Sequence, residues 1–474
     1  MDMIVKSGIL VTATDSFVAD IGIKNGKIAN IAEHIEPWDA EVIEAKEMFV
    51  LPGAIDVHTH FQLPFMRTVS ADDFVTGTKA AACGGVTSFI DFAIQAKSRA
   101  LMEAVENRRK EADGKVCIDY SLHAAITDFS EATLAEIPQI IQYGIPSFKL
   151  FMIYAKEGWM ADDGSLFAVL EKARDCGGLV GVHAENPFII DHNVAKFLHE
   201  GKTEARWHGL SRPNYVEAEA ISRAIYWTEI TRSRLYIFHM STKEGVQLVS
   251  DARARGLSVF AETCPQYLLL TDEKYEGEEG INYPTGPPLR KKEDCDGLWR
   301  GLQAGTISAV ATDHCPLTRQ QRQMGKDDFT KIPNGLPGIE TLLPLVYSEG
   351  VAKGRLTMNQ LVEVTSATPA RLFGLYPQKG SLAIGADADI VVFDPAAKRT
   401  LSHSNLHMNL DFSPYEGLEV SGWPKYTLSR GKILARDGQF VGEEGWGRFV
   451  PRFYLERVPG ALPEEEEPEA GAID

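Results

Sequence analysis

Cysteine is scarce. Six residues in 474, with no CxxC pair among Cys83, Cys117, Cys176, Cys264, Cys295 and Cys315, do not make a disulfide framework. Cys117, Cys264 and Cys315 lie in or beside apolar strand-like runs, so the six read as reduced, largely buried thiols of a cytoplasmic protein. No apolar run reaches the ~18–20 residues of a membrane span. The opening MDMIVKSGILVTATDSF has no basic segment ahead of an apolar one, so nothing marks it for export. Basic residues are in deficit, 48 against 66 acidic for a formal charge of −18, which argues against the basic face a nucleic-acid partner would need. Low complexity is confined to the end, where EEEEPE at 464–469 and Asp474 read as a solvated, disordered tail. No internal repeat is visible.

What is present is enough for a large folded core. Hydrophobic residues make up 44% and charged residues 24%, which excludes extended disorder for most of the chain. The first fifty residues consist of short β-branched runs broken by Gly and Asn, and the same texture returns in GSLAIGADADIVVFDP (380–395) and YTLSRGKILARDGQF (426–440). Both ends together are expected to build one small β-sandwich domain from residues 1–52 and 376–440. Between them, short apolar runs at 54–60, 86–92, 118–125, 147–152, 179–184, 235–239, 258–262 and 308–313 alternate with amphipathic stretches. Several of these stretches end in Gly, as helices do. Eight β-then-α units predict a (β/α)8 TIM-type barrel over residues 53–375, with long connections after Ala184 and Glu262 lying over its mouth. Residues 441–474 form a C-terminal arm. Its aromatic part, Trp446, Phe449, Phe453 and Tyr454, is suited to cover its own barrel or a neighbour's.

In such a barrel the chemistry sits at the C-terminal ends of the strands. There stand Asp56-Val57-His58-Thr59-His60 on strand one, Lys149 on strand four, His183 on strand five, His239 on strand six and Asp313 on strand eight. His58 and His60 are two apart, so a strand puts both imidazoles on one face. Imidazole and carboxylate together are the ligands of catalytic Zn2+ and related metals. Lys149 is open to two readings. It is either a structural lysine paired with a carboxylate, or a lysine that has taken up CO2. The second reading follows from charge: six ligands are many for one ion and thinly charged for two. Two dications ~3.5–4 Å apart need anionic bridges. A lysine carbamate supplies one oxygen to each, and burial favours the neutral amine it forms from. Of the remaining candidates, His123 reads as a satisfied core histidine and His208 as a loop-ordering residue. His314 points away from the cluster on strand parity, and Asp56 shares the parity of His58 without being counted as a ligand.

The constellation resembles the amidohydrolase superfamily, and within it the hydantoinase/dihydropyrimidinase family. The segments that carry the resemblance span most of the chain: FVLPGAIDVHTHFQLPF, DDFVTGTKAAACGGVTSFIDF, GIPSFKLFMIY, HAEN, WHGLSRP, EAEAISRAI, PPLR, VATDHCP, FTKIPNGLPGIE and GSLAIGADADIVVFDP. SFKLFMIY with IPNGLPGIE is specific to this branch. The resemblance implies that His58, His60 and Asp313 hold a more buried metal and His183 and His239 a second, bridged by carboxylated Lys149 (N6-carboxylysine) and a hydroxide. Zn2+ is the expected metal, with Mn2+ or Co2+ acceptable. It implies that Tyr154 hydrogen-bonds the developing oxyanion and that Asp313 moves the proton. The main chain at Gly286 and Asn334 would read the imide edge of a cyclic ureide. The family usually has serine before Pro-Pro-Leu-Arg, where this chain has Gly286. If only the main chain binds, the change is tolerated.

The activity so implied is hydrolytic opening of 5-substituted hydantoins or dihydropyrimidines to N-carbamoyl amino acids. Allantoinase and dihydroorotase share the barrel. A dihydroorotase usually shows HxHxR, the arginine gripping a carboxylate. Here Gln62 occupies that place and apolar Leu63-Pro64-Phe65 follows. Leu63, Phe65, Phe151 and Trp159 are therefore the expected walls around an uncharged or apolar ring substituent. Related non-catalytic scaffolds, the collapsin-response mediators, lose metal ligands, whereas each ligand position is filled here. The resemblance also implies a homotetramer, or at least a dimer.

Overall fold

In the computed structural model, which describes residues 1–454, eight strands form the barrel: Ala54–Thr59, Val86–Ile94, Asp119–Ala125, Ser147–Phe151, Leu179–His183, Leu235–Ile237, Val259–Thr263 and Ala309–Val310. Each pairs in parallel with the next. Strands one and eight close the ring through a parallel bridge between Thr59 and His314, with the His60 N–H donating to the His314 carbonyl at 2.8 Å. The strands are buried on nearly every residue, which is why they read as unbroken apolar runs rather than alternating ones. The acidic tail lies outside the described residues.

Local chemistry starts and stops the outer helices. Asp73 accepts from the Val75 and Thr76 N–H groups at the head of helix Phe74–Cys83, and the Thr76 side chain answers its backbone. Asp162 and Thr242 cap Asp163–Asp175 and Lys243–Ala254 by accepting the Ser165 and Gly245 N–H groups. Gly177 and Gly256, at φ +75° and +84°, stand just past the last two. The long connection after strand five carries helices Pro187–His199 and Arg206–Leu210, and the one after strand seven is mostly irregular. Both lie over the mouth.

The β domain is one nine-stranded sheet drawn from both chain ends. Met3–Val11, Ser16–Lys24, Lys27–Ala32, Glu41–Glu44 and Phe49–Pro52 come from the first, and Ile390–Thr400, Glu419–Ser429, Lys432–Arg436 and Gln439–Phe440 from the second. The strand Ile390–Thr400 shows how it docks. Ile390 and Val392 enter the sheet's own apolar cluster, while Val391 and Phe393 enter the barrel's. The period-2 alternation of a strand thus serves two cores at once. Past this sheet, the arm runs along its own barrel: Arg448 and Val450 pair with Tyr120, and buried Arg452 bonds Ser121, Leu122, Ser147 and Phe373.

Two strand ends differ from the sequence reading. Strand six stops at Ile237 and strand eight at Val310, short of His239 and Asp313. The reason is backbone conformation. His239 has φ +40° and Asp313 φ +51°, a left-handed state that takes the chain out of the regular parallel ladder.

Candidate active site

Every site residue named from the sequence lines one cleft at the C-terminal end of the barrel. His58, His60, Lys149, His183, His239, Asp313, Tyr154, Gly286, Asn334, Leu63, Phe65, Phe151 and Trp159 all contribute to its wall. His58 and His60 come from the end of strand one, Lys149 from the middle of strand four and His183 from the last position of strand five. His239 and Asp313 follow strands six and eight. Together with Tyr154, at φ +67°, they are non-glycine residues held in the left-handed region. Backbone strain of this kind is sustained only where surrounding structure over-determines it, and it concentrates at functional sites.

The histidines are prepared as neutral ligands. Burial drives the pKa of His58 and His239 far below the usual imidazole value and lowers that of His183. Nε2 of His58 and Nε2 of His60 each lie 3.1 Å from Asp313 Oδ1. The His58, His60 and Asp313 ligand atoms all fall within 4.8 Å of one another. His183 and His239 meet edge to face, with ring centroids 4.4 Å apart. Two buried ring nitrogens of the set, His58 Nε2 and His239 Nδ1, make no aligned hydrogen bond among the described residues. Buried polar atoms are rarely left so unless something else binds them. This donor set therefore fits a divalent cation.

Lys149 is 1% exposed. Its Nζ faces the rings of Phe238, Phe151 and Phe92 at 3.9, 5.3 and 5.4 Å. No carboxylate among the described residues lies within ion-pair distance of it. Burial pulls its pKa down to about 7 against the opposing charges of Asp313 and Glu262, so much of the amine is neutral at physiological pH.

Two carboxylates behind the histidines were not singled out by the sequence. Glu262, at the end of strand seven, accepts from His58 Nδ1–H, from the Tyr236 hydroxyl at 3.0 Å and from the His239 N–H at 3.1 Å. It thereby fixes the His58 tautomer, leaving Nε2 for the cluster. Glu185 accepts from His183 Nε2–H at 2.8 Å and from Arg212 at 2.9 Å. Burial alone would raise Glu185, but Arg212 and His183 outweigh it and hold the carboxyl at about 2. Arg212 and Lys156 line an adjoining cleft that shares Tyr154 and Asn334 with the first. The barrel strands are legible as apolar runs; partners that converge from separate strands and connections are not.

The other titratable candidates lie where they support the frame. His123 is sandwiched between the Ser147 hydroxyl and the Val57 carbonyl. His314 turns to Asp72 and to the Gly338 N–H. His208 donates to the Thr285 carbonyl at 2.8 Å, next to Gly286. Asp56 joins strands one and eight through Thr312, and burial lifts it to about 6.

On the substrate side, neither the N–H nor the C=O of Gly286 and Asn334 is engaged by any described residue. A Cβ at 286 would stand 3.3 Å from the Tyr154 hydroxyl and 3.7 Å from His183. The apolar wall is a stack: Phe65 on Trp159 at 5.6 Å, Trp159 on Phe151 at 5.2 Å, and Tyr154 edge-on to Phe65 at 5.4 Å. Lys149 is the one Lys or Arg among the described residues lining this cleft.

A barrel with a cluster of imidazoles and carboxylate at its mouth defines a metal-dependent hydrolase of the amidohydrolase type, and comparison with known proteins bears this out. The model of the amidohydrolase family matches residues 49–434. A D-hydantoinase of Geobacillus stearothermophilus is 45% identical over 456 residues, covering 95% of this chain and 97% of its own. A D-phenylhydantoinase of Escherichia coli is 42% identical over 456 residues, covering 95% and 98%. The crystal structure of a dihydropyrimidinase from Brevibacillus agri superposes with a TM-score of 0.95 at 44% identity, covering 97% of this chain and 100% of that one. The chain belongs to the amidohydrolase family, in its hydantoinase/dihydropyrimidinase branch, and with that family goes the use of divalent metal.

Proposed function

We infer that this protein hydrolyses the ring amide of cyclic ureides, 5-substituted hydantoins and dihydropyrimidines, to N-carbamoyl amino acids. The observation that carries the reading is the convergence in one cleft of the His58–His60–Asp313 cluster, Tyr154 and the unengaged main chain of Gly286 and Asn334.

His58, His60 and Asp313 would hold one ion, His183 and His239 a second, and Lys149, carboxylated, would join them. Histidine with carboxylate suits Zn2+, with Mn2+ or Co2+ as acceptable substitutes. When bound, such a pair makes hydroxide available at neutral pH and polarises the carbonyl under attack. The chain's own groups do the rest. Main-chain donors and acceptors at Gly286 and Asn334 orient the ring by its imide edge. Tyr154 donates to the oxygen on which negative charge grows. Burial pushes its phenol well above the ordinary value, so it keeps its proton throughout the working range. Asp313 takes the proton of the attacking water at a carboxylate oxygen and delivers it to the departing ring nitrogen, so that one water is consumed and one C–N bond broken. Leu63, Phe65, Phe151 and Trp159 exclude water and receive the 5-substituent.

The six free cysteines fit a reducing cytoplasm. Exposed Phe188, Ile189, Leu210, Tyr215, Tyr226 and Ile230, on the helices after strand five, support burial against a second copy, in keeping with a homotetramer or dimer. Elemental analysis with a substrate panel tests the activity. Close to two divalent ions per chain are expected, with turnover of dihydrouracil or 5-substituted hydantoins well above allantoin and dihydroorotate. Active protein without transition metal, or dihydroorotate as best substrate, contradicts the assignment.

A further inference from the structure

Arg322 ends the short helix Arg319–Arg322 and is 1% exposed. Among the described residues no carboxylate lies within ion-pair distance of it. Burial brings its pKa down to about 10, so it remains a cation at neutral pH. A buried guanidinium without a counter-ion is costly and calls for partners that repay its desolvation. Its partners are three main-chain carbonyls. Nη1 donates to Pro284 at 2.9 Å and to Pro333 at 2.5 Å, and Nη2 donates to Gly335. Pro284 is two residues before Gly286, and Pro333 and Gly335 flank Asn334.

We propose that Arg322 is a positioning residue that clamps together the two main-chain segments, 284–286 and 333–335, which read the imide edge of the ring. The proposal rests on the reading that Gly286 and Asn334 hold that edge. Three further features support it. The Gly335 N–H donates to the Pro284 carbonyl at 3.1 Å, so the segments are tied directly as well as through the guanidinium. Gly335 has φ +142°, and a Cβ there would meet the Cys315 carbonyl oxygen at 2.5 Å. The pair is thus wedged between Arg322 and the turn that carries Asp313, which sets its position relative to the proton-transfer group. Finally, a cationic donor on the Pro333 carbonyl polarises the Pro333–Asn334 peptide and strengthens the Asn334 N–H as a donor. That donor is free to meet the ring.

The test compares binding of a hydantoin and its imide-N-methyl analogue, as competitive ligands of the metal-loaded protein, in wild type, Arg322→Met and Arg322→Lys. Wild type should prefer the unmethylated ring by about tenfold or more, the scale of a lost hydrogen bond at a buried site. In Arg322→Met the preference should shrink to within about twofold. KM should rise about tenfold, kcat should change less, and metal content should stay the same. Arg322→Lys keeps charge and bulk but cannot span three carbonyls, so it should fall between, and it carries the test if the methionine variant does not fold. A folded variant with wild-type KM and wild-type preference overturns the role of Arg322 while leaving the ring-edge reading intact. Absence of any preference in wild type overturns the ring-edge reading itself, and the proposal with it.

Discussion

Lys149 has no ion pair and the Tyr154 hydroxyl no hydrogen-bond partner among the described residues, yet both line the cleft, so their substitutions should separate cleanly. Lys149→Ala removes the group proposed to join two cations. It should lose most activity and at least one metal per chain, and a small carboxylic acid should restore part of both by standing in for the carbamate. Tyr154→Phe removes a single donor and leaves the ring packing with Phe65, Phe151 and His183. It should keep both metals and lower kcat by roughly 10²–10³-fold, as loss of an oxyanion donor does. Metal analysis beside steady-state kinetics reads both. Full activity in Lys149→Ala, or an unchanged kcat in Tyr154→Phe, removes the residue concerned from the mechanism.

At the scale of elements, the loop after strand four is anchored at both ends. Phe151 and Met160 form a bridge, and the Ala161 N–H donates to the Phe151 carbonyl at 2.8 Å. Trp159 is thereby presented to Phe65 from the anchored end of the loop. An apolar wall contributes about 0.8 kcal/mol per buried CH2, so kcat/KM should climb along a series of longer alkyl or aryl 5-substituents until the cleft is full. Trp159→Ala should flatten the series without changing metal content, and an unaltered ranking would show that the tryptophan only seals the rim. A ring bearing a carboxylate should fare badly, because its desolvated charge finds no partner along this wall. The same scale shows what a sequence can disclose. HTH on a strand and the eight apolar runs are periodic, local signals, and the barrel follows from them. The ends of strands six and eight are not, because His239 and Asp313 leave the strand by a left-handed turn that no local pattern marks. Glu262, Glu185, Arg212 and Arg322 escape for another reason. Each owes its place to groups brought together from distant parts of the chain, and a lone buried arginine in RQQRQMG looks like any solvated one.

The whole molecule is held together at the end of the barrel remote from the site. Lys379 is 1% exposed and pairs with Asp119 of barrel strand three at 2.6 Å, with Asp389 at 2.7 Å and with Asp387 at 3.0 Å. Lys27 from the first part of the β domain reaches Asp387, and Arg430 from its second part reaches Asp119. Asp119 also accepts the Arg448 N–H of the arm at 3.1 Å. Three carboxylates and three cations, drawn from the barrel, both parts of the β domain and the segment between them, thus balance in one knot, buried at Lys379 and the carboxylates and open to solvent at Lys27, to which the arm is also tied. Burial opposes the Lys379 charge, and Asp389, Asp119 and Asp387 overcome it, driving its pKa above the ordinary value. Lys379→Met keeps most of the volume but leaves three buried carboxylates without their shared cation. Removing one partner of a buried ionic group costs about 3–5 kcal/mol, so denaturant unfolding should show a loss of that size. The fraction that remains folded should keep its metals and its kcat, because the site lies at the opposite ends of the strands. A loss below about 1 kcal/mol would mean that the carboxylates protonate or hydrate without disturbing the junction. A fall in metal content alongside the loss of stability would mean that the knot and the cluster at the mouth are coupled through the barrel strands.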